Sequence, residues 1–203
     1  MEVIKKELPH FNIGSSYGGN QEWFDGFMMR VGGCAAETAC DLCIYLDLYM
    51  GTSLYPYDKS NISKSDYIKF GSVMKPYLHP RMSGIDKLPI YLDGFGQYLA
   101  DRGNSHITLS GVQGTAGYST AEKALISQLD GGIPVPFLLL KHTEPRFKDY
   151  EWHWFLLNGY IKSDTNLMVK AVTYSEYEWL DFYELWHTGM DNKGGMITVE
   201  ISG

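Results

Sequence analysis

The pattern of apolar positions changes along the chain, from helix-like spacings to strand-like runs. In the first 130 residues, apolar side chains recur every three or four positions between glycine- and proline-rich breaks. This pattern predicts helices over residues 34–49, 66–78 and 88–102, and a fourth helix that ends at Gly131-Gly132. Further on, segments rich in valine, isoleucine, leucine and aromatic residues predict strands over residues 133–142, 151–161, 166–174 and 196–201.

Smaller signals complete this prediction. Residues up to Arg30 are rich in glycine and predict loop, and His106–Leu109 predicts a short strand. Ser119-Thr120-Ala121-Glu122 has the pattern of a capping box at the start of the fourth helix, and a short helix is predicted to begin at Asp181. The order predicts one α+β domain over residues 1–203, with a mainly helical lobe over 1–130 and a mainly β lobe over 131–203 that holds an antiparallel sheet.

The composition is consistent with a large hydrophobic core and argues against nucleic acid as a partner. Hydrophobic residues make up 44% of the chain, and its 15 Tyr, 9 Phe and 5 Trp are enough to line a groove as well as fill a core. The formal net charge is −7 and no run of lysine or arginine occurs. Nucleic acid is therefore not expected as the main partner.

The sequence also predicts no membrane segment and no metal site. Residues 1–10 lack the apolar stretch of a signal peptide, and the longest apolar run, residues 133–140, is too short to cross a bilayer. We therefore expect a cytoplasmic protein. All three cysteines fall between positions 34 and 43, which makes a disulfide framework improbable. Cys40-x-x-Cys43 lacks the second ligand pair of a zinc site.

Cys34 is the first candidate for chemistry. It follows Gly32-Gly33 in what the sequence indicates is a flexible turn, and it is the first residue of a predicted helix. Unpaired backbone N–H groups and the positive end of the helix macrodipole favour the reactive thiolate there. The helical period turns Cys40 by about 240° and Cys43 by about 180° from Cys34, so we expect both in the core. A structural thiol is the competing interpretation of Cys34.

A cysteine nucleophile needs a base, and histidine is the usual partner. Of the six histidines, His153 has the clearest context, because it lies in a predicted strand that ends at Asn158-Gly159-Tyr160. Strand alternation places His153 on the same face as Phe155. His106 and His142 flank predicted strands and are the competing bases.

These residues resemble the papain-like cysteine peptidases, specifically the bacterial branch related to the double-glycine leader peptidases. In that branch a Gln precedes a Cys that opens a long helix with small residues. A later strand has His, four or five mostly apolar residues, Gly and Tyr. Residues 33–39 (Gly-Cys-Ala-Ala-Glu-Thr-Ala) match the first motif, and residues 153–160 (His-Trp-Phe-Leu-Leu-Asn-Gly-Tyr) match the second. Residues 133–138 resemble the strand before the histidine strand, and the likeness spans roughly residues 20–186.

The resemblance implies a papain-like fold, in which the cysteine helix packs on a C-terminal antiparallel sheet. It also implies that Cys34 is the nucleophile and His153 its proton partner. The backbone N–H of Cys34 and an upstream Gln side chain would stabilise the oxyanion. Gln21, 13 residues before Cys34, is the best match for that Gln, with Asn20 as the alternative. The competing interpretation of Gln21 is a solvated loop amide.

The third member of the site departs from the family pattern. The family orients the histidine with an Asn or Asp on the next strand, but residues 167–176 end without either. Thr173 is the best positional match, and Ser175 and Glu176 come next. A hydroxyl accepts the imidazole N–H bond but stabilises imidazolium less than a carboxylate does.

The sequence therefore predicts a thiol-dependent hydrolase that cleaves a peptide or amide substrate through an acyl-enzyme on Cys34, without metal or cofactor. Acyl transfer to an amine would use the same residues. The leader-peptidase role itself is not implied, because nothing in the chain resembles an attached transporter. Two alternatives are open: a catalytically degenerate relative that binds a peptide or small molecule in an aromatic cleft, and a structural domain with three core thiols.

Overall fold

The computed structural model describes residues 3–202, and these residues form an α+β fold in which helices pack on an antiparallel sheet. The helices are α1 (Phe27–Gly32), α2 (Cys34–Tyr49), α3 (Lys64–Met74), α4 (Leu88–Asp101), α5 (Tyr118–Asp130) and α6 (Phe182–Trp186). The strands are β1 (Ile4–Glu7), β2 (Asn12–Ile13), β3 (Ser16–Tyr17), β4 (Ile107–Gln113), β5 (Val135–Leu139), β6 (His153–Lys162), β7 (Leu167–Thr173), β8 (Glu176–Asp181) and β9 (Gly195–Ile201). Short 3₁₀ turns cover Gln21–Trp23 and Pro145–Tyr150.

The main sheet has the strand order β4-β9-β5-β6-β7-β8, and every neighbouring pair along it is antiparallel. Strand β1 pairs with the second half of β6, on the edge that β5 leaves free beyond Leu157. The antiparallel sheet predicted for the C-terminal part is therefore present. Strands β1 and β4 come from before residue 131, so the sheet also takes strands from the part predicted to be mainly helical.

Several predicted bounds agree closely with the structure and others shift for local reasons. Helix α2 spans the predicted residues 34–49, and α4 ends one residue early. Helix α3 begins at Lys64, because the Ser63 hydroxyl caps it by accepting the Asp66 N–H at 3.0 Å. It ends at Met74, before Pro76 and before the predicted end at residue 78.

The predicted capping box is wrong. Helix α5 begins at Tyr118 after Gly117, and no side chain caps it. Ser119 and Glu122 therefore lie inside the helix, where the Glu122 carboxylate accepts a hydrogen bond from Lys162 at 2.8 Å. The short helix predicted at Asp181 is present as α6, and the Asp181 side chain caps it by accepting the Glu184 N–H at 3.0 Å.

The sequence pattern did not predict five elements: α1, β1, β2, β3 and β8. Strand β1 has the sequence IKKE, and its only strong apolar residue is half exposed. Tertiary contacts stabilise it, because the Glu7 carboxylate pairs with the buried ammonium of Lys170 on β7 at 2.7 Å. Such long-range partners are invisible to a local pattern.

Helix α2 lies at the centre of the molecule. Every residue from Cys34 to Asp47 is buried, including three carboxylic acids, and the helix packs on β5, β6 and α3. Cys40 and Cys43 are fully buried, as predicted from the helical period, and burial raises the pKa of both thiols. Within residues 3–202, no helix is both long and apolar enough to cross a membrane.

Candidate active site

A cavity of about 360 Å³ opens where the first turn of α2 meets the start of β6. Three of the predicted site residues line it: Gln21, Cys34 and His153. The remaining wall includes Trp152 and Tyr174. A larger groove of about 540 Å³ lies elsewhere, beside Lys162 and Asp181, and its wall holds none of the predicted site residues.

Cys34 reaches this cavity because two helices meet at a pair of glycines. Helix α1 ends at Gly32, and Gly33, with a φ of −94°, leads directly into α2. A Cβ on Gly32 would collide with the carbonyl oxygen of Arg81, and one on Gly33 would collide with that of Met29. The glycines are thus required by close backbone packing, and the flexible turn expected from the sequence is a tight helix–helix junction.

The sequence predicted that the helix N-terminus would stabilise the Cys34 thiolate, and this prediction is wrong for the protein without substrate. Burial raises the pKa of Cys34 to about 11, and the backbone N–H groups of Trp154 and Ala35 offset this only in part. The residue is 3% exposed, so desolvation outweighs the favourable end of the helix. At neutral pH the thiol is therefore protonated.

His153 is the first residue of β6, where it pairs in register with Leu139 at the end of β5. Its Nε2 lies 2.6 Å from the Thr173 hydroxyl, and its ring stacks on Tyr174 with centroids 4.7 Å apart and planes 2° from parallel. Burial lowers the pKa of His153 to about 4, so the imidazole is neutral at pH 7.

The contact between Thr173 and His153 follows from strand register. Leu156 pairs with Val172, so one step further Phe155 lies opposite Thr173. His153 shares the face of Phe155, which makes Thr173 its diagonal neighbour across the two strands. Ser175 and Glu176, the other two candidates for the third position, are placed differently. The Ser175 hydroxyl donates to the Gly19 carbonyl oxygen, and Glu176 is exposed.

The competing histidines lie away from the cavity. His142 accepts the Glu144 N–H at Nδ1, and its Nε2 lies 3.0 Å from the Glu184 carbonyl oxygen. His106 is exposed just before β4. Neither is among the residues of the cavity wall, so of these three histidines His153 is the one that lines the same cavity as Cys34.

Gln21 is buried, so the competing interpretation of it as a solvated loop amide is wrong. It is the first residue of a 3₁₀ turn, and α1 folds back so that the 13 residues to Cys34 are spanned compactly. Its Nε2 donates to the Arg30 carbonyl at 2.9 Å, which leaves the second N–H of that amide for another acceptor. Asn20 is used otherwise, because its side chain caps the turn by accepting the Glu22 N–H.

Backbone strain concentrates beside His153. Among residues 3–202, the non-glycine residues with positive φ are Trp152 at 57°, Tyr174 at 52° and Ser175 at 66°. Each such conformation costs of order 1–3 kcal/mol and persists only where the surrounding structure imposes it. Trp152 and Tyr174 both line the cavity, and sequence reasoning missed them because neither is a typical turn residue.

Comparison of the chain with protein-family models, with curated proteins and with solved structures gave no match. Among the described residues, no cluster of three or more His, Cys, Asp or Glu side chains has the arrangement of a metal site. The case for function therefore rests on the cavity and on the side chains around it.

Proposed function

We propose that the protein is a thiol-dependent hydrolase of peptide or amide bonds with a papain-like fold, and that it acts through an acyl-enzyme on Cys34. One observation carries the proposal. The Thr173 hydroxyl lies 2.6 Å from Nε2 of His153, and His153 lines the same cavity as Cys34. That contact fixes the ring and leaves Nδ1 as the nitrogen that exchanges a proton with the thiol.

The proposed reaction uses only groups of this chain and water. The Cys34 sulfur attacks the carbonyl carbon while its proton passes to Nδ1 of His153. The oxyanion accepts hydrogen bonds from the Cys34 N–H and from the second N–H of the Gln21 amide. His153 then gives the proton to the leaving amine as the C–N bond breaks. A water molecule, deprotonated by His153, hydrolyses the thioester and restores the thiol.

A second candidate function is a catalytically degenerate protein that binds a peptide or small molecule in the same cavity. The pKa values favour it, because a thiol near 11 and an imidazole near 4 both rest in the neutral form. The absence of a carboxylate or amide at position 173 points the same way. The hydrolase requires that substrate binding and proton transfer to His153 compensate for the raised pKa of the buried Cys34 thiol.

One experiment distinguishes the hydrolase from the binding protein. The protein is incubated with a mixed peptide library, quenched in acid and analysed by mass spectrometry, and its alkylation by limiting iodoacetamide is followed against pH. A hydrolase gives cleaved peptides and an acyl group on the Cys34 peptide, with alkylation of Cys34 ahead of Cys40 and Cys43. Intact peptides and no acyl group on the Cys34 peptide contradict hydrolysis, and peptides that stay bound to the folded protein then support the binding function. An alkylation rate that rises about tenfold per pH unit up to pH 11 is expected of the resting thiol in either case.

The residue at position 173 should tune the activity. Thr173→Asn restores the amide expected from the resemblance, so we expect kcat/KM to be unchanged or higher. Thr173→Val keeps the shape but removes the hydrogen bond to His153, and we expect a loss of about tenfold. The measurement is kcat/KM on a peptide that the library experiment identifies. Equal rates for the Val variant and the native protein would show that the Thr173 contact has no part in the reaction.

A further inference from the structure

Asp41 lies on α2, about two turns beyond Cys34, and its carboxylate is buried. Both of its oxygens accept the backbone N–H of Gly19, at 3.2 and 3.1 Å, and one also accepts the Tyr67 hydroxyl at 2.7 Å. The side chain therefore ties the cysteine helix to the N-terminal loop that carries Gln21 two residues later.

Gly19 also contacts the sheet through the hairpin between β7 and β8. Its carbonyl oxygen accepts the Ser175 N–H at 3.1 Å and the Ser175 hydroxyl at 3.3 Å. The Ser175 carbonyl in turn accepts the Tyr17 N–H at 3.0 Å. A Cβ at Gly19 would collide with the Tyr67 ring, so this backbone segment is confined between α3 and the hairpin.

Ser175 belongs to the two-residue tip of the β7–β8 hairpin, which is closed by the pair Thr173 and Glu176. Both tip residues, Tyr174 and Ser175, have positive φ, a conformation that type I′ turns require and that glycine and asparagine usually supply. The tip is strained, so contacts from outside the hairpin must hold it. The Gly19 segment supplies those contacts, next to the two residues that touch the His153 ring.

We propose that Asp41 is a positioning residue for His153. It fixes Gly19, Gly19 fixes the strained hairpin tip, and the tip presents the Thr173 hydroxyl and the Tyr174 ring to the imidazole from two directions. The use of the ring in catalysis rests on the proposed function. The placement of the ring is independent of the proposed function, so the test measures the environment of the His153 ring directly.

The surroundings of Asp41 define how the test is built. His10 approaches from the N-terminal segment, with its Nε2 4.0 Å from the carboxylate, Tyr67 approaches from α3, and Glu37 precedes it by one turn of α2. Asp47, two turns further along α2, is a matched control. It is also buried and accepts the N–H groups of Leu54 and Tyr55, but it lies far along the helix from the cavity.

The experiment is NMR of the His153 ring, with its signal assigned by loss in His153→Gln. In Asp41→Ala we expect the ring-current shift from Tyr174 to diminish and the pKa of His153 to rise from about 4 towards the ordinary 6.5, because the ring gains access to water. Asp41→Asn keeps one acceptor oxygen for Gly19, so an intermediate change is expected. Asp47→Ala should lower stability without moving the His153 signal.

Unchanged His153 signals in folded Asp41→Ala would overturn the proposal, and so would an equal change in Asp47→Ala. If Asp41→Ala does not fold, Asp41→Asn and Tyr67→Phe decide, and native His153 signals in both overturn it. Failure of the hydrolase function has a different signature. Peptides then stay intact in the native protein while the His153 signal still responds to Asp41.

Discussion

In the proposed hydrolase, replacement of Cys34 by alanine should lower peptide hydrolysis about a thousandfold or more, because the acyl-enzyme cannot form without the sulfur. The fold should tolerate this change, since Ala35 and Ala36 already give the first turn of α2 small side chains that pack tightly. The measurement is the rate of cleavage of an identified peptide, together with loss of the iodoacetamide-reactive site.

Cys40→Ala provides the matched control. Cys40 lies on the same helix but is fully buried and away from the cavity wall, so its loss should lower the free energy of unfolding by about 1 kcal/mol and leave the cleavage rate unchanged. A Cys34→Ala protein that retains more than a tenth of the native rate would rule out a nucleophilic role for that thiol.

His10→Phe should stabilise the protein. The His10 side chain is fully buried. It packs against Phe11 and Tyr17, with ring centroids 4.7 and 4.6 Å away, and among residues 3–202 it has no hydrogen-bond partner for either ring nitrogen. Phenylalanine has a similar shape and no polar atoms to desolvate, so we expect a gain of about 1–3 kcal/mol in the free energy of unfolding at pH 7. Urea titration measures it.

The gain should widen in acid. Burial lowers the pKa of His10 from 6.5 to about 3, so below pH 6.5 the unfolded chain binds a proton that the folded protein does not accept until about pH 3. The native protein therefore loses stability through this residue as pH falls across that window, and the difference from the Phe variant should grow by about 2 kcal/mol between pH 7 and pH 5.

His10→Gln separates the two contributions to this effect. Glutamine does not titrate, so the variant should share the acid advantage of Phe but not its advantage at pH 7, because it still buries a polar group. A constant difference between the Phe variant and the native protein from pH 7 to pH 5 would contradict the assigned environment of His10.

The local pattern predicted the parts of the fold and site that local interactions determine. The bounds of α2 follow from an unbroken run of helix-forming and apolar residues up to Gly51. Thr173 was expected from the family resemblance, and the β6–β7 register explains why it lies beside His153. Strand β1 could not be predicted in this way, because its stabilising partner, Lys170, lies 163 residues away from Glu7.

The chemistry of the site was harder to predict than its geometry. The position of Cys34 at a helix N-terminus favoured a thiolate, but the direction of its pKa shift depends on how much of the chain packs over it. Likewise, the Tyr174-Ser175 tip carries no glycine or asparagine, so nothing in the sequence marks a turn that contacts outside the hairpin impose.

The burial of α2 on all sides has a consequence for biosynthesis. Its covering strand β6 emerges from the ribosome more than 100 residues after Cys34, and β1 must also wait for β6 before it can pair. Contacts so distant in sequence slow folding and leave apolar surface uncovered during translation. The apolar faces of the cysteine helix therefore stay uncovered until β6 has been synthesised.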